Sequence, residues 1–265
     1  MSHTCITEAP EAVGYDELLD RSFRRSYDEG RDIWSDEPAM EVCVQRLLAR
    51  LPQRGAVLDV GAGRGRDAVA LLGAGHRVDA VDLVATDDWA AIAKRWHGQT
   101  AFIEGDVLAV RLAGPYDGIL DNGCLHHQHP SACKRYLAKL AAHAKPGATL
   151  VVSFFTPADG RSQGGLWQQH DGRLTQEFTE AQARALLHGA GWQALDCLAV
   201  PRASARYHYL VVTAEREMKP PSSLALATPR GGRPPTARQS RFRGGKFDGS
   251  SALHASRVVR SAKDT

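Results

Sequence analysis

Apolar and polar positions along this 265-residue chain follow two periods in turn. The runs "AVLDV" (56–60), "HRVDAVDL" (76–83), "TAFIEGD" (100–106), "YDGILD" (116–121) and "ATLVVSFF" (148–155) are short and apolar or alternating, which predicts five strands. Helical spacing fills the gaps from Asp67 to Leu72, from Trp89 to Trp96 and from Ser131 to Ala144, with Pro146-Gly147 expected to stop the last of these. Strands alternating with helices of this length imply right-handed βαβ units and a parallel sheet. A helix over 179–191 follows, opened by a capping box of Thr179 and Gln182. Two more strands, 192–200 and 206–215, are joined by the short "PRASA", which predicts an antiparallel hairpin. The fold expected is α/β: a seven-stranded, doubly wound sheet with an antiparallel last strand. Ahead of it, "EPAMEVCVQRLLARL" (37–51) reads as an amphipathic helix with Pro38 in its first turn.

The chain therefore divides into an N-terminal helical or lid segment (1–36), a main domain (37–215) and a tail (216–265). The tail is rich in Pro, Gly, Ser and Arg and keeps no period, so it is expected to be disordered. It carries 11 Lys and Arg against 3 Asp and Glu, whereas residues 1–215 carry 22 against 27. A mildly acidic body lacks the electrostatic footprint for phosphates, so nucleic acid is not the expected partner, although the basic tail leaves it open. No run of eighteen apolar residues predicts a membrane span, and the N-terminus has no basic start with an apolar core. Five scattered cysteines without a C-x-x-C pair argue against a disulfide framework or a zinc site, and no metal is expected; a reducing cytoplasm is the simplest setting.

Chemistry enters after the first strand, where Gly61, Gly63 and Gly65 alternate. Glycines between a strand and a helix let the backbone approach a ligand closely. Asp82, at the end of the second strand, is placed to accept hydrogen bonds from ribose hydroxyls. A nucleoside cofactor is indicated. A dinucleotide fingerprint needs a glycine where this chain has Arg66, and a phosphate loop needs Gly-Lys-Ser/Thr, which is absent.

"LDVGAGRGRD" resembles the first motif of class I S-adenosylmethionine-dependent methyltransferases, which have a Rossmann-like sheet. "EGDV" (104–107), "YDGILDNGCLHH" (116–127) and "LAKLAAHAKPGATLVVSFF" resemble later motifs of that family, in order and with suitable spacing. The resemblance spans about Tyr15 to Glu215 and implies S-adenosylmethionine as cofactor. It implies that Gly61, Ala62, Gly63 and Gly65 form the loop beside the methionyl and ribose parts, and that Asp59 holds the methionyl ammonium directly or through water. It further implies that Asp82, with Leu83 beside it, takes the ribose, and that Asp106 takes the adenine amino group with Val107 near the ring. The backbone around Asp121 and Asn122 would line the methionyl end. "YDEGRDIWSDEP" (27–38) resembles the segment before the first helix of thiopurine- and tellurite-type small-molecule methyltransferases, which implies Trp34 as a lid and Arg31 as a partner for the cofactor carboxylate.

A sulfonium methyl is already activated, so a base is needed only where the acceptor must lose a proton. His126, His127 and Asp121, at the rim after the fourth strand, are the candidate catalytic groups; His129, His170, Tyr207 and His208 are further options. The loop 156–176 is where choice of acceptor is expected to be made. A small-molecule acceptor is favoured, since no Asn/Asp-Pro-Pro-aromatic signature follows the fourth strand. A nicotinamide oxidoreductase and a non-catalytic cofactor- or partner-binding module are the alternatives.

Overall fold

The computed structural model describes residues 3–161, 163–202 and 207–217. The expected basic tail lies outside them beyond Glu217. Chain order is β1 (His3–Ile6), α1 (Tyr15–Asp28), α2 (Glu41–Leu48), β2 (Ala56–Val60), α3 (Arg66–Gly73), β3 (Arg77–Asp82), α4 (Asp88–Arg95), β4 (Thr100–Glu104) and β5 (Tyr116–Asp121). There follow α5 (Cys133–His143), β6 (Ala144–Pro157), β7 (Leu166–Gln169), β8 (Leu174–Gln176), α6 (Glu180–His188), β9 (Trp192–Val200) and β10 (Tyr207–Arg216).

The main sheet has the order β4-β3-β2-β5-β6-β10-β9. Strands β2 to β6 run parallel, and β10 runs antiparallel to both β6 and β9, as the hairpin reading anticipates. Period-two alternation divides each central strand between two cores. Leu58, Val60, Ile119, Leu150, Val152, Leu210 and Val212 face α5 and α6, packing with Tyr136, Leu137, Leu140, Leu187 and Trp192. Val57, Leu120, Val151 and Val211 face α2 and α3, packing with Cys43, Val44, Leu47, Ala68 and Leu71. Covering both faces is what makes "AVLDV" nearly continuously apolar.

Three expectations need correction. The helix expected over 37–51 is regular only from Glu41 to Leu48, after a 3-10 turn at Pro38–Met40. Helix α5 ends at His143, before Pro146-Gly147, and β6 begins at once. The register between β5 and β6 slips from Tyr116 opposite Ala144 to Gly118 opposite Thr149, so the Pro-Gly pair sits in a bulge inside β6. Residues 156–176 form the hairpin β7–β8, which β1 extends into a separate three-stranded antiparallel sheet. Nothing in four residues at the N-terminus marks a strand, because β1 is defined by its partner.

Helix α1 joins this small sheet to the main one. Its buried residues Tyr15, Leu19, Ser22 and Ser26 follow helical spacing and form one stripe. The Tyr15 hydroxyl donates to the carbonyl of His127 (2.8 Å) and accepts from the amide of Leu174 (2.9 Å), while Ser22 Oγ donates to Asp171 Oδ2 (2.6 Å). The hairpin is thereby held over the ends of β5 and β6.

Thr179 caps α6 with both bonds of the capping box in place. Thr179→Ala is expected to lower stability by about 1 kcal/mol in chemical denaturation, leaving the unfolding cooperative.

Candidate active site

Strand order reverses between β2 and β5, the position at which open α/β sheets leave a crevice. The chain leaves β2 through Gly61 to Gly65 and turns into α3. Gly61 (φ 75°) and Gly65 (φ 84°) have the left-handed backbone that side chains disfavour. A Cβ on Gly61 would come within 3.1 Å of Cys124 Cβ in the turn after β5, and one on Gly65 within 2.6 Å of Ile92 Cδ1 on α4. The turn is braced from outside: Trp89 Nε1 donates to the carbonyl of Gly63 (2.7 Å), and the Gly63 amide donates to Asp82 Oδ2 (2.8 Å).

A cavity of 590 Å³ opens above these strand ends. One flank carries Gly61, Asp82, Leu83, Asp106, Val107 and Asn122, all anticipated from the sequence. Arg31 and Trp34, with Phe23 and Tyr27 of α1, close it on the N-terminal side. The other flank carries the anticipated His126 and His127, together with Phe155, Tyr207, Tyr209, Arg173 and Arg202. Tyr207 is among the residues anticipated as further options; Phe155, Tyr209 and the two arginines have no signal in the pattern, since they lie far apart in sequence and meet only through the hairpin and β10.

Other expected residues stand behind the wall. Asp59 is fully buried and Ala62, Gly63 and Gly65 shape the turn without lining the cavity. Asp121 does not line it either: its Oδ1 accepts from the amides of Cys124 (2.7 Å) and Leu125 (3.3 Å), and its Oδ2 from the Tyr136 hydroxyl (2.8 Å). Its carboxyl therefore holds the turn after β5 instead of facing an acceptor. His129 turns the other way, toward the carbonyl of Pro10 (2.9 Å) and Ser131 Oγ (2.7 Å). His170 and His208 are not on the lining.

Electrostatics divide the cavity. Burial pushes the Asp82 carboxyl up, against the amides of Gly63, Val84 and Leu83, which favour its charged form. Burial, then the nearby carboxylates of Asp67 and Asp82, push Asp59 up well above the usual carboxylate range, and its Oδ2 has no partner among the described residues. Asn122 donates to the carbonyl of Met40 (3.0 Å) and to Asp67 Oδ2 (2.6 Å), which leaves its Oδ1 buried and unbonded. Across the cavity, the His126 ring stacks on Phe155 with centroids 3.6 Å apart, and its Nδ1 lies 3.2 Å from the carbonyl of Ser153. Burial lowers its pKa to about 3, with Arg202 and Arg173 adding to the effect. His126 is a neutral, packed ring near pH 7. Burial also pushes the Cys124 thiol well up.

Residues 36–196 match the family model described as a methyltransferase domain. The chain is also similar to a solved 1,6-didemethyltoxoflavin-N1-methyltransferase from Burkholderia thailandensis, which holds 1,6-didemethyltoxoflavin and S-adenosylhomocysteine. Identity is 41%, covering 82% of this chain and 95% of that one, with a TM-score of 0.76. The chain belongs to the S-adenosylmethionine-dependent methyltransferases. At the level of fold alone, this methyltransferase is similar to one from Methanosarcina mazei (17% identity, 64% of this chain and 96% of that one, TM-score 0.54). It is equally similar in fold to the [4+2]-cyclase SpnF (15% identity, 66% and 80%, TM-score 0.54). None of the curated proteins compared with it matches. Among the described residues, no helix of the methyltransferase is long and apolar enough to cross a membrane.

Burial raises the pKa of Asp121 to about 6. An acid whose folded pKa lies above its unfolded value stabilises most when protonated, so this contribution fades as pH rises from about 4 through 6, by up to ~3 kcal/mol. Asp121→Asn lacks that loss. Its stability relative to the parent is expected to improve steadily between pH 4 and 7 in denaturant melts; a constant difference would remove Asp121 as the cause.

Proposed function

We propose that this methyltransferase moves the methyl group of S-adenosylmethionine to a nitrogen of a small, flat ring molecule. The observation that carries this reading is the two-ended cavity, with carboxylates at one end and stacked rings with arginines at the other. The likeness to a relative described as methylating N1 of 1,6-didemethyltoxoflavin supports it.

The cavity's own atoms suit the cofactor. Asn122 Oδ1 and Arg31 Nε are buried without partners among the described residues, an acceptor for an ammonium and a donor for a carboxylate. In this assignment Arg31 and Asn122 take the methionyl end, Asp82 the ribose hydroxyls and Asp106 the adenine amino group, with Leu83 and Val107 against the ring and Trp34 as cover. Asp59 acts from behind, through its effect on the turn and its unbonded oxygen. When bound, the cofactor supplies an activated methyl group. The chain supplies position: an in-line approach held by two rigid turns is worth roughly 7–11 kcal/mol in well-aligned cases. Helix α1 and the β7–β8 hairpin exclude water. His126 contributes packing, since its Nδ1 is committed and burial keeps the ring neutral. His127 lines the same flank, with its Nδ1 2.9 Å from the carbonyl of Leu174.

We further propose a cytoplasmic setting, consistent with five free cysteines.

S-adenosylhomocysteine is expected to raise the melting temperature, and Asp82→Ala to remove most of that shift. Labelled S-adenosylmethionine should deliver its methyl to 1,6-didemethyltoxoflavin. No thermal shift in the unmutated protein overturns the reading, and so does a shift with no transfer to any of a panel of nitrogen acceptors.

A further inference from the structure

The end of the cavity away from Asp82 and Asp106 contains a buried guanidinium with no carboxylate in ion-pair contact among the described residues. Arg173, in the turn between β7 and β8, lines the cavity and is 5% exposed. Its guanidinium lies over the Phe23 ring, 4.5 Å from the centroid, and 6.0 Å from that of Trp34. Nη2 donates to Gln169 Oε1 (2.9 Å), but Nε and Nη1 find no acceptor among the described residues. The other two cavity arginines have carboxylates: Arg31 pairs with Glu29 (2.5 Å) and Arg202 with Glu37 (3.3 Å). No carboxylate of the described residues lies within 4.0 Å of the Arg173 guanidinium; Asp171 beside it accepts instead from Ser22 Oγ and the Arg173 amide. The titratable groups facing Arg173 are Asp171 on the hairpin and Arg31, which are charged, and the phenols of Tyr15 on α1 and Tyr207 on β10.

A buried cation left unpaired is costly unless something completes it. What faces the same space is aromatic: Phe155, Tyr207 and Tyr209 are grouped about Arg202, whose guanidinium lies 5.8, 5.2 and 4.9 Å from their centroids. An electron-rich cation-binding cage would not hold two arginines at its wall; a flat anion with delocalised charge fits between rings and guanidinium groups. Neither His126, which is packed on Phe155, nor Asp121, which is walled off behind Cys124, is placed to take a ring proton.

We infer that the acceptor binds as an anion, a nitrogen heterocycle that has shed its ring proton, with Arg173 as the anchor for its negative charge. This rests on the methyl-transfer reading above and specifies its substrate class. The ring proton leaves to solvent on ionisation. The nitrogen lone pair then forms the N–CH₃ bond while the S–CH₃ bond breaks and its electron pair stays on sulfur. An anion and a sulfonium become a neutral N-methyl product and a neutral thioether. Arg173 thus does the work of a base by stabilising the conjugate base of the substrate.

The test is an absorbance titration of 1,6-didemethyltoxoflavin, free and bound to the full chain with S-adenosylhomocysteine present. Its ionisation midpoint is expected to fall by at least one pH unit on binding, a tenfold preference for the anion. Arg173→Gln should abolish that fall and weaken binding tenfold or more while keeping the thermal shift from S-adenosylhomocysteine; Arg173→Lys should restore part of it. A midpoint unchanged in the unmutated protein overturns the inference, and needs no variant to fold. So does an Arg173→Gln chain that loses S-adenosylhomocysteine but keeps the anion preference, which would reassign Arg173 to the cofactor carboxylate. Failure of the compound to bind a chain that binds S-adenosylhomocysteine also overturns it, while leaving methyl transfer intact.

Discussion

The close approach of two chain turns at the centre of the sheet sets everything else. Strands β2 and β5 lie side by side, and their exits, at Gly61 and at Cys124, meet so closely that a Cβ on Gly61 would come within 3.1 Å of that of Cys124. That contact fixes where the cavity floor lies. It also fixes the direction of α3, which packs on α2, and the height at which Asp82 meets the Gly63 amide. Open sheets collect ligands where strand order reverses, and here the reversal is sealed underneath by backbone and left open above.

On that floor the molecule builds opposite ends by different means. The carboxylate end comes from strand termini and is therefore local in sequence: Asp82 closes β3, and Asp106 follows β4. The aromatic and cationic end is assembled from pieces that share no neighbourhood. Phe155 belongs to β6, Tyr207 and Tyr209 to β10, Arg202 to the link after β9, and Arg173 to a hairpin held by α1. Rigid strands position the first three rings, while the hairpin depends on a few polar bonds, those of Tyr15 and Ser22.

This difference explains what the sequence makes legible. Period-two strands with covering helices announce the sheet order, and the glycine turn with its trailing aspartates announces the nucleoside end. The antiparallel close of the sheet follows from the short link between β9 and β10, and the Thr179 cap from local side-chain chemistry. By contrast, β1 pairs with residues 160 to 166 positions away, and Arg173 owes its setting to burial beneath α1; neither is encoded in a window of ten. Asp121 shows the opposite error of reading. An acid at a strand end next to the expected acceptor invites a chemical role, yet three donors already occupy it.

A protein that handles an alkylating agent must also avoid becoming its own target. Cys124 stands on the cavity lining against Gly61, two residues from the Asn122 proposed for the methionyl end, and a thiolate there would be a strong nucleophile. Burial and the Asp121 charge nearby push its thiol well up, which keeps the sulfur protonated. Self-inactivation is suppressed by withholding the reactive form, with the residue itself retained.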